Sequence, residues 1–305
     1  VTTEEGPQAD ALRWAAGRVG DAARVVSATG LREGGNPWML RIEHDGRTTE
    51  VVLKTAALDG GEGMATEVAA LLLANRAGVP APRILAVDAD GEAAGTRAVL
   101  ETALRGRSRI PLVATPERLR GLGAAAAALN AVTTEPSPVL PQRTRPISAS
   151  DFARDRREGR ESSTPLLDAA DERVNGLPAP DGAPVLVHGD LWQGNTMWDG
   201  DRLTGLLDWD MAGVGHYGID LSSLRLDAAL TFGPDAAGPV LEGWEERFGG
   251  EAEDVAYWDA VAALNLPGDM AEFVPAVHDQ GRTDLSAKEL NARRDAFLRA
   301  ALDRL

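Results

Sequence analysis

The sequence predicts an α+β chain in two lobes, a small β-rich lobe over residues 1–103 and a larger, mainly helical one over residues 104–305. Three observations carry this. Strand-like runs separated by glycine-bearing turns crowd into the first lobe, and beyond Arg105 the pattern changes to helical periodicity. Residues 183–224 then return to short apolar runs, each ending in a cluster of acidic and polar side chains.

In the first lobe, Ala9–Val19 reads as a helix with Ala11, Leu12, Trp14, Ala15 and Val19 on one face. Arg24–Thr29 and Trp38–Glu43 read as strands, joined through the glycine-rich stretch Gly30 to Asn36 that contains Gly34 and Gly35. Strand, glycine turn, strand lets backbone N–H groups lie against a nucleotide's phosphates. The spacing matches neither a Walker A loop nor a dinucleotide fingerprint, so a plain hairpin turn fits equally well. Asp45-Gly46 turns the chain into the strand Thr49–Thr55, which carries Lys54 near its end. Of 31 basic residues only Lys54 and Lys288 are lysines, so a lysine inside an apolar strand invites a reason: a compact ammonium fits where a guanidinium does not. The helix Met64–Ala77 follows, with Val68, Leu71, Leu72 and Asn75 in helical spacing and Glu67 near its start, where an acidic residue is favourable in itself. Arg83–Val87 and Arg97–Thr102 are two further strands.

In the second lobe, Pro116–Val132 is an alanine-rich helix expected deep in the lobe. Residues 133–148 hold four prolines and read as a surface loop. Phe152–Gly159 and Pro165–Leu177 read as helices whose carboxylates mostly form solvated faces. Leu221–Leu230, Ala236–Phe248, Val255–Leu266, Met270–Val277 and Ala287–Leu305 complete the helical set, with no internal repeat.

Composition narrows the function classes. The chain has 305 residues, 44% hydrophobic and 26% charged, enough for a sizeable core. It has no apolar run of roughly eighteen residues and no basic head before an apolar segment, so a cytoplasmic protein without a membrane partner is expected. The lack of cysteine excludes disulfides, thiol catalysis and cysteine-based zinc sites. A formal charge of −16 opposes nucleic-acid binding, which demands a basic footprint, and makes a cationic small molecule the easier partner. Acidic surfaces also serve solubility alone.

The chemistry concentrates in residues 183–224. Pro184 to Val187 ends in His188-Gly189-Asp190, with Asn195 five residues after the aspartate. Thr196 to Trp198 and Leu203 to Leu207 flank the turn pair Asp199-Gly200, a hairpin that ends in Asp208-Trp209-Asp210. A hairpin brings its ends together, so Asn195 and Asp208 face one space with Asp190 on the loop leading in. Two carboxylates and an amide there can hold a hard divalent cation, Mg2+ above all, while one carboxylate stays free to take a proton from a hydroxyl. Taken singly, each of these residues fits an ordinary turn or cap.

The run HGDLWQGN, then LLDWD, then GHYGIDL resembles the catalytic core of the aminoglycoside phosphotransferase family, small-molecule kinases with a protein-kinase-like fold. The resemblance implies Asp190 as catalytic base, Asn195 and Asp208 as magnesium ligands, Asp220 as a brace of the catalytic loop and His188 as structural. It also implies that Lys54 reaches the nucleotide phosphates while paired with Glu67, that Gly34 and Gly35 belong to the phosphate loop, and that residues 101–105 form a hinge where the backbone of Glu101 and Ala103 meets the adenine. Asn130 stands where relatives often carry histidine and is expected to matter little. The cofactors implied are ATP, with GTP as the other option, and Mg2+. The acceptor is a small polar molecule, with an aminoglycoside-like antibiotic or an amino sugar in view, and the protein a monomer or homodimer. Two other classes stay open: a metal-dependent hydrolase using His188, Asp190, Asp208, Asp210 and His216, and a catalytically inactive binding protein on the same fold.

Overall fold

A computed structural model describes residues 6–32, 35–147 and 149–305. Helix α1 (Ala9–Val19) leads into strands β1 (Arg24–Arg32), β2 (Gly35–His44) and β3 (Arg47–Ala56), then helix α2 (Glu62–Ala77) and strands β4 (Ile84–Asp88) and β5 (Arg97–Thr102). The strands form one antiparallel sheet in the order β1-β2-β3-β5-β4. Alternation along β2 and β3 sends Trp38, Leu40, Ile42, Val51 and Leu53 to one face, where Ala11, Trp14 and Ala15 of α1 cover them. The other residues of the alternation, Lys54 among them, line the opposite side of the sheet.

The buried face of α2 consists of Thr66, Glu67, Ala70, Leu71 and Ala74, while Leu72 is 42% exposed. The expected stripe through Val68 and Leu72 is therefore rotated. A helix rich in alanine and leucine on every side has no preferred face of its own. Here Glu67 turns in to meet Lys54, and Ala70 and Leu71 follow it. That face joins a core shared with the rest of the chain, through Val79, Leu206 and Trp209.

The remaining elements are α3 (Pro116–Asn130), α4 (Phe152–Arg157), α5 (Pro165–Asn175), β6 (Val185–Val187), β7 (Thr196–Asp199), β8 (Arg202–Leu206), β9 (Gly213–Gly215), α6 (Gly218–Phe232), α7 (Ala237–Phe248), α8 (Val255–Leu264), α9 (Val274–Asp279) and α10 (Ala287–Leu302). Thr115, Thr164 and Ser286 cap α3, α5 and α10 through their hydroxyls. β7 and β8 form the expected hairpin. Residues 104–107 are tied onto it, since Arg107 and Trp198 exchange backbone hydrogen bonds at 2.8 and 3.0 Å. Among the described residues no helix is long and apolar enough to cross a membrane.

Two further expectations are corrected. Residues 133–148 are more than a surface loop: Leu140 is buried, Arg143 N–H donates to Val214 O at 2.8 Å, and Ile147 N–H donates to Gly189 O at 2.6 Å. The segment lies against β9, a three-residue strand paired with β6 that is too short to show periodicity. Met270–Val277 is not one helix but a 3-10 turn, Met270–Phe273, followed by α9, whose start coincides with Pro275, a residue without an N–H to continue a helix.

Helices α3 and α7 cross in close contact at two glycines. A Cβ on Gly123 would run into Val240 O, and one on Gly243 into Arg120 O. The crossing sets the position of Asn130 at the end of α3 and of Trp244 on α7. Gly123→Ala should lower the unfolding free energy by about 3 kcal/mol, the upper end of overpacking costs, read as a lower urea midpoint.

Candidate active site

Strand β6 delivers His188-Gly189-Asp190 into a tight loop. His188 is fully buried; Nε2 donates to Leu207 O at 2.8 Å and Nδ1 accepts from the Asp190 N–H at 3.4 Å. Burial pushes its pKa down to about 4, so the ring is neutral and its one proton lies on Nε2. Gly189 has φ 80°, and a Cβ there would strike Met211 O, so the turn requires glycine.

Behind this loop lies Asp220, in the first turn of α6 and completely buried. Its carboxylate accepts from His188 N–H at 2.9 Å, Gly189 N–H at 3.0 Å and Asn130 Nδ2 at 3.2 Å. Burial pushes its pKa up to about 6, against the pull of those three donors. Asn130 was expected to matter little, yet it is 1% exposed and joins three elements. Besides Asp220 it donates to Leu186 O at 3.3 Å, and its Oδ1 accepts from Trp244 Nε1 at 3.2 Å.

The hairpin brings together the three polar residues expected to converge. Asn195, on a 3-10 turn over Gln193–Asn195, donates through Nδ2 to Asp190 O at 2.9 Å and Asp190 Oδ2 at 3.1 Å. Its amide oxygen is thereby turned away from Asp190. The Leu207 N–H donates to Asn195 O at 2.8 Å, which sets Asp208 alongside. Asp208 adopts a left-handed backbone, φ 64°, which aspartate tolerates better than most residues and which turns the chain out of β8 at that point. Burial and then the Asp208 charge push the Asp190 pKa up to about 6, with the Asn195 hydrogen bond opposing.

From the sheet, Lys54 Nζ bonds Glu67 Oε1 and lies 3.8 Å from Glu101 Oε2. Burial lowers the Lys54 pKa, but the two carboxylates outweigh it and the net shift is upward. Glu67 Oε1 also accepts from the Trp209 N–H at 3.4 Å, so α2 is linked to the loop beside Asp208. Glu101 differs from the expectation of a backbone contact. It lies within β5, paired with Val52 on one side and Ile84 on the other, and its carboxyl, pushed up to about 7 by burial, faces Lys54. Ala103 is the first expected hinge residue past the strand. Gly35 opens β2 at φ 99°; Gly34 lies outside the described residues. Arg32, at the end of β1, extends its guanidinium onto Asp208, a contact no motif announced.

The histidines are not gathered with the carboxylates as the hydrolase alternative requires. Both His188 nitrogens are engaged with backbone, and His216 stacks on Trp258 with ring centroids 4.8 Å apart while its Nδ1 accepts from the Gly218 N–H. Among the described residues no group of three or more His, Asp or Glu forms a metal cage.

A cavity of about 280 Å³ opens beside Asp190, walled by α6, α9 and the turn at Met270. Its second carboxylate, Asp227, was not singled out from the sequence, although its spacing of seven from Asp220 sets both on one side of a helix. Asp227 Oδ2 accepts from Gln193 N–H at 3.2 Å and Gln193 Nε2 at 2.9 Å, and burial pushes its pKa up to about 6.

A two-lobed fold with a lysine–glutamate pair facing an Asp, Asn, Asp cluster defines a kinase-like phosphotransferase. The family model of the phosphotransferase enzyme family matches residues 27–264, and the chain belongs to that family. Membership makes it a phosphotransferase. Among solved structures, the macrolide 2′-phosphotransferase MphH from Brachybacterium faecium matches with TM-score 0.58 and 20% identity, covering 97% of this chain and 99% of that one. Aminoglycoside-3′-phosphotransferase of type VIII matches with TM-score 0.55 and 23% identity over 83% and 97% of the two chains. Aminoglycoside phosphotransferase APH(4)-Ia, solved with ADP and hygromycin B, matches with TM-score 0.57 and 15% identity over 91% and 95%. At these identities the likeness is one of fold. No curated protein matches in sequence.

Asp220→Asn replaces an acceptor of two backbone N–H groups by a group with one donor end. Unfolding free energy should fall by about 2–3 kcal/mol, and amide hydrogen exchange at His188 and Gly189 should accelerate selectively.

Proposed function

We propose that the chain transfers the γ-phosphoryl group of ATP to a hydroxyl of a small molecule, with Mg2+. The observation that carries this reading is the convergence of Asp190, Asn195 and Asp208 in one cleft with the buried Lys54–Glu67 pair. Asp190 accepts the proton of the acceptor hydroxyl as its oxygen bonds to phosphorus, and ADP leaves. The Asn195 amide holds the Asp190 carboxylate in one orientation. Lys54 contacts the phosphates, kept in register by Glu67, and Glu101 adds a second carboxylate beside the ammonium. Ala103 and the residues after it offer the backbone that meets the adenine, and Gly34 and Gly35 belong to the phosphate loop. The boundary between nucleotide and catalytic lobes falls at residues 103–104.

The donor set fits a hard cation: Asn195 presents an amide oxygen, Asp208 a carboxylate that already attracts the Arg32 guanidinium, and the His188 imidazole is engaged with backbone. When bound by Asn195 and Asp208, Mg2+ supplies positive charge against the phosphates. His188 stays neutral and supports the loop, as does Asp220.

Asp190→Asn should retain nucleotide binding and lose about 10²–10⁴-fold in the rate of acceptor-stimulated ADP release. Activity within tenfold of wild type would remove Asp190 from the role of base. The carboxylate must be ionised to act, and its raised pKa moves that requirement upward. The kcat/KM profile should therefore fall as pH drops through about 6, where an ordinary aspartate would place the limb near about 4. An acid limb at the ordinary value would show that burial is relieved in the working enzyme.

A further inference from the structure

The cavity beside Asp190 has a chemistry that a polycationic acceptor does not match. α6 presents two neighbouring stripes to it, a polar one of Ser223, Asp227 and Thr231 and an apolar one of Leu226 and Leu230. The facing wall is apolar, with Leu266, Met270, Phe273 and Val277. Asp190 and Asp227 are the carboxylates of this lining, and Asp190 is reserved for the reacting hydroxyl. One carboxylate therefore remains to meet a positive charge. Each additional ammonium would give up its hydration against leucine and phenylalanine without an ionic partner. The −16 charge of the whole chain does not alter this, because it is spread over the solvated surface.

We propose that the acceptor is a largely apolar hydroxy compound with a single amine, the amine held by Asp227 and the hydroxyl turned to Asp190. This rests on the kinase reading above. Asp227 suits the role because Gln193 ties it from behind through Oδ2, on the loop that leads to Asn195, so the group that grips the acceptor and the group that orients Asp190 are mechanically joined. The cavity, about 280 Å³, lies at the small end of ligand sites, about 300–1,000 Å³, which favours one ring or a short chain.

The test uses the full chain with ATP and Mg2+, measuring acceptor Kd by calorimetry and ADP release for four probes. Two are apolar mono-amines, 2-amino-1-phenylpropan-1-ol and 2-aminohexan-1-ol; the others are the amine-free 1-phenylpropan-1-ol and the polyamine kanamycin A. The expected result is that the mono-amines bind more tightly than either other probe. Asp227→Asn should weaken the mono-amines by about tenfold or more while moving 1-phenylpropan-1-ol little, so that the preference for the amine is lost. Val277→Asn, at a half-buried wall position, adds polarity without charge and should weaken all three apolar probes, which tests the apolar wall if Asp227→Asn does not fold. Tighter binding of kanamycin A, no binding of either mono-amine, or an unchanged amine preference in Asp227→Asn would overturn the proposal. ATP binding is measured in the same samples: its absence counts against the kinase reading, whereas ATP binding without mono-amine binding counts against the acceptor class alone.

Discussion

The loop that carries Asp190 depends on a buried carboxylate that has no ion-pair partner among the described residues. Asp220 is enclosed by protein, and its charge is met by donors: the N–H groups of His188 and Gly189 and the amide of Asn130. Such an arrangement tolerates little displacement, because a buried charge that loses a donor gains no water in exchange. The donors come from β6 and α3, while α7 holds Asn130 through Trp244. Packing of three helices thus sets the geometry of a turn two residues from Asp190. The glycines at the α3–α7 crossing belong to the same constraint, since a wider crossing would draw Asn130 away from Trp244.

Glu67 performs the corresponding task across the cleft. One oxygen meets the Lys54 ammonium and the Trp209 N–H, so the sheet, α2 and the segment around Asp208 share a single anchor. Among the described residues acidic groups outnumber basic ones here: Glu67, Glu101, Asp190, Asp208 and Asp210 against Lys54, Arg32 and Arg143. Asp190, Glu101 and Asp210 are all pushed upward, with burial the leading cause and neighbouring carboxylates adding to it. A cleft with that imbalance favours added positive charge, which fits a site for a nucleotide bound together with a divalent cation.

The acidity of the exterior and the character of the cavity beside Asp190 point in different directions. Surface carboxylates are hydrated and screened, whereas a side chain entering the cavity meets leucine, methionine and phenylalanine at contact distance. Net charge therefore speaks to solubility and to which ions gather outside. On the acceptor proposed here, selection rests on the few groups that line the inner wall, above all Asp227.

Much of the frame was legible in the residues themselves. Helix α1 and strand β5 have the bounds that periodicity implies, and the Asp199-Gly200 turn specified the hairpin that joins Asn195 to Asp208. Local chemistry suffices there, because turn residues and alternation act over a few positions. The rotation of α2, the strand over Gly213–Gly215 and the role of Asn130 could not be read the same way. Each is decided by a partner far along the chain: Lys54 for α2, Val185–Val187 for the short strand, Asp220 and Trp244 for Asn130. The sequence alone determined the candidate residues of the His188–Asp210 stretch and the turns that set them in order. Only the tertiary structure decided their electrostatic environment and the shape of the cavity beside them, because burial and donor geometry arise from contacts between segments, which no local pattern encodes.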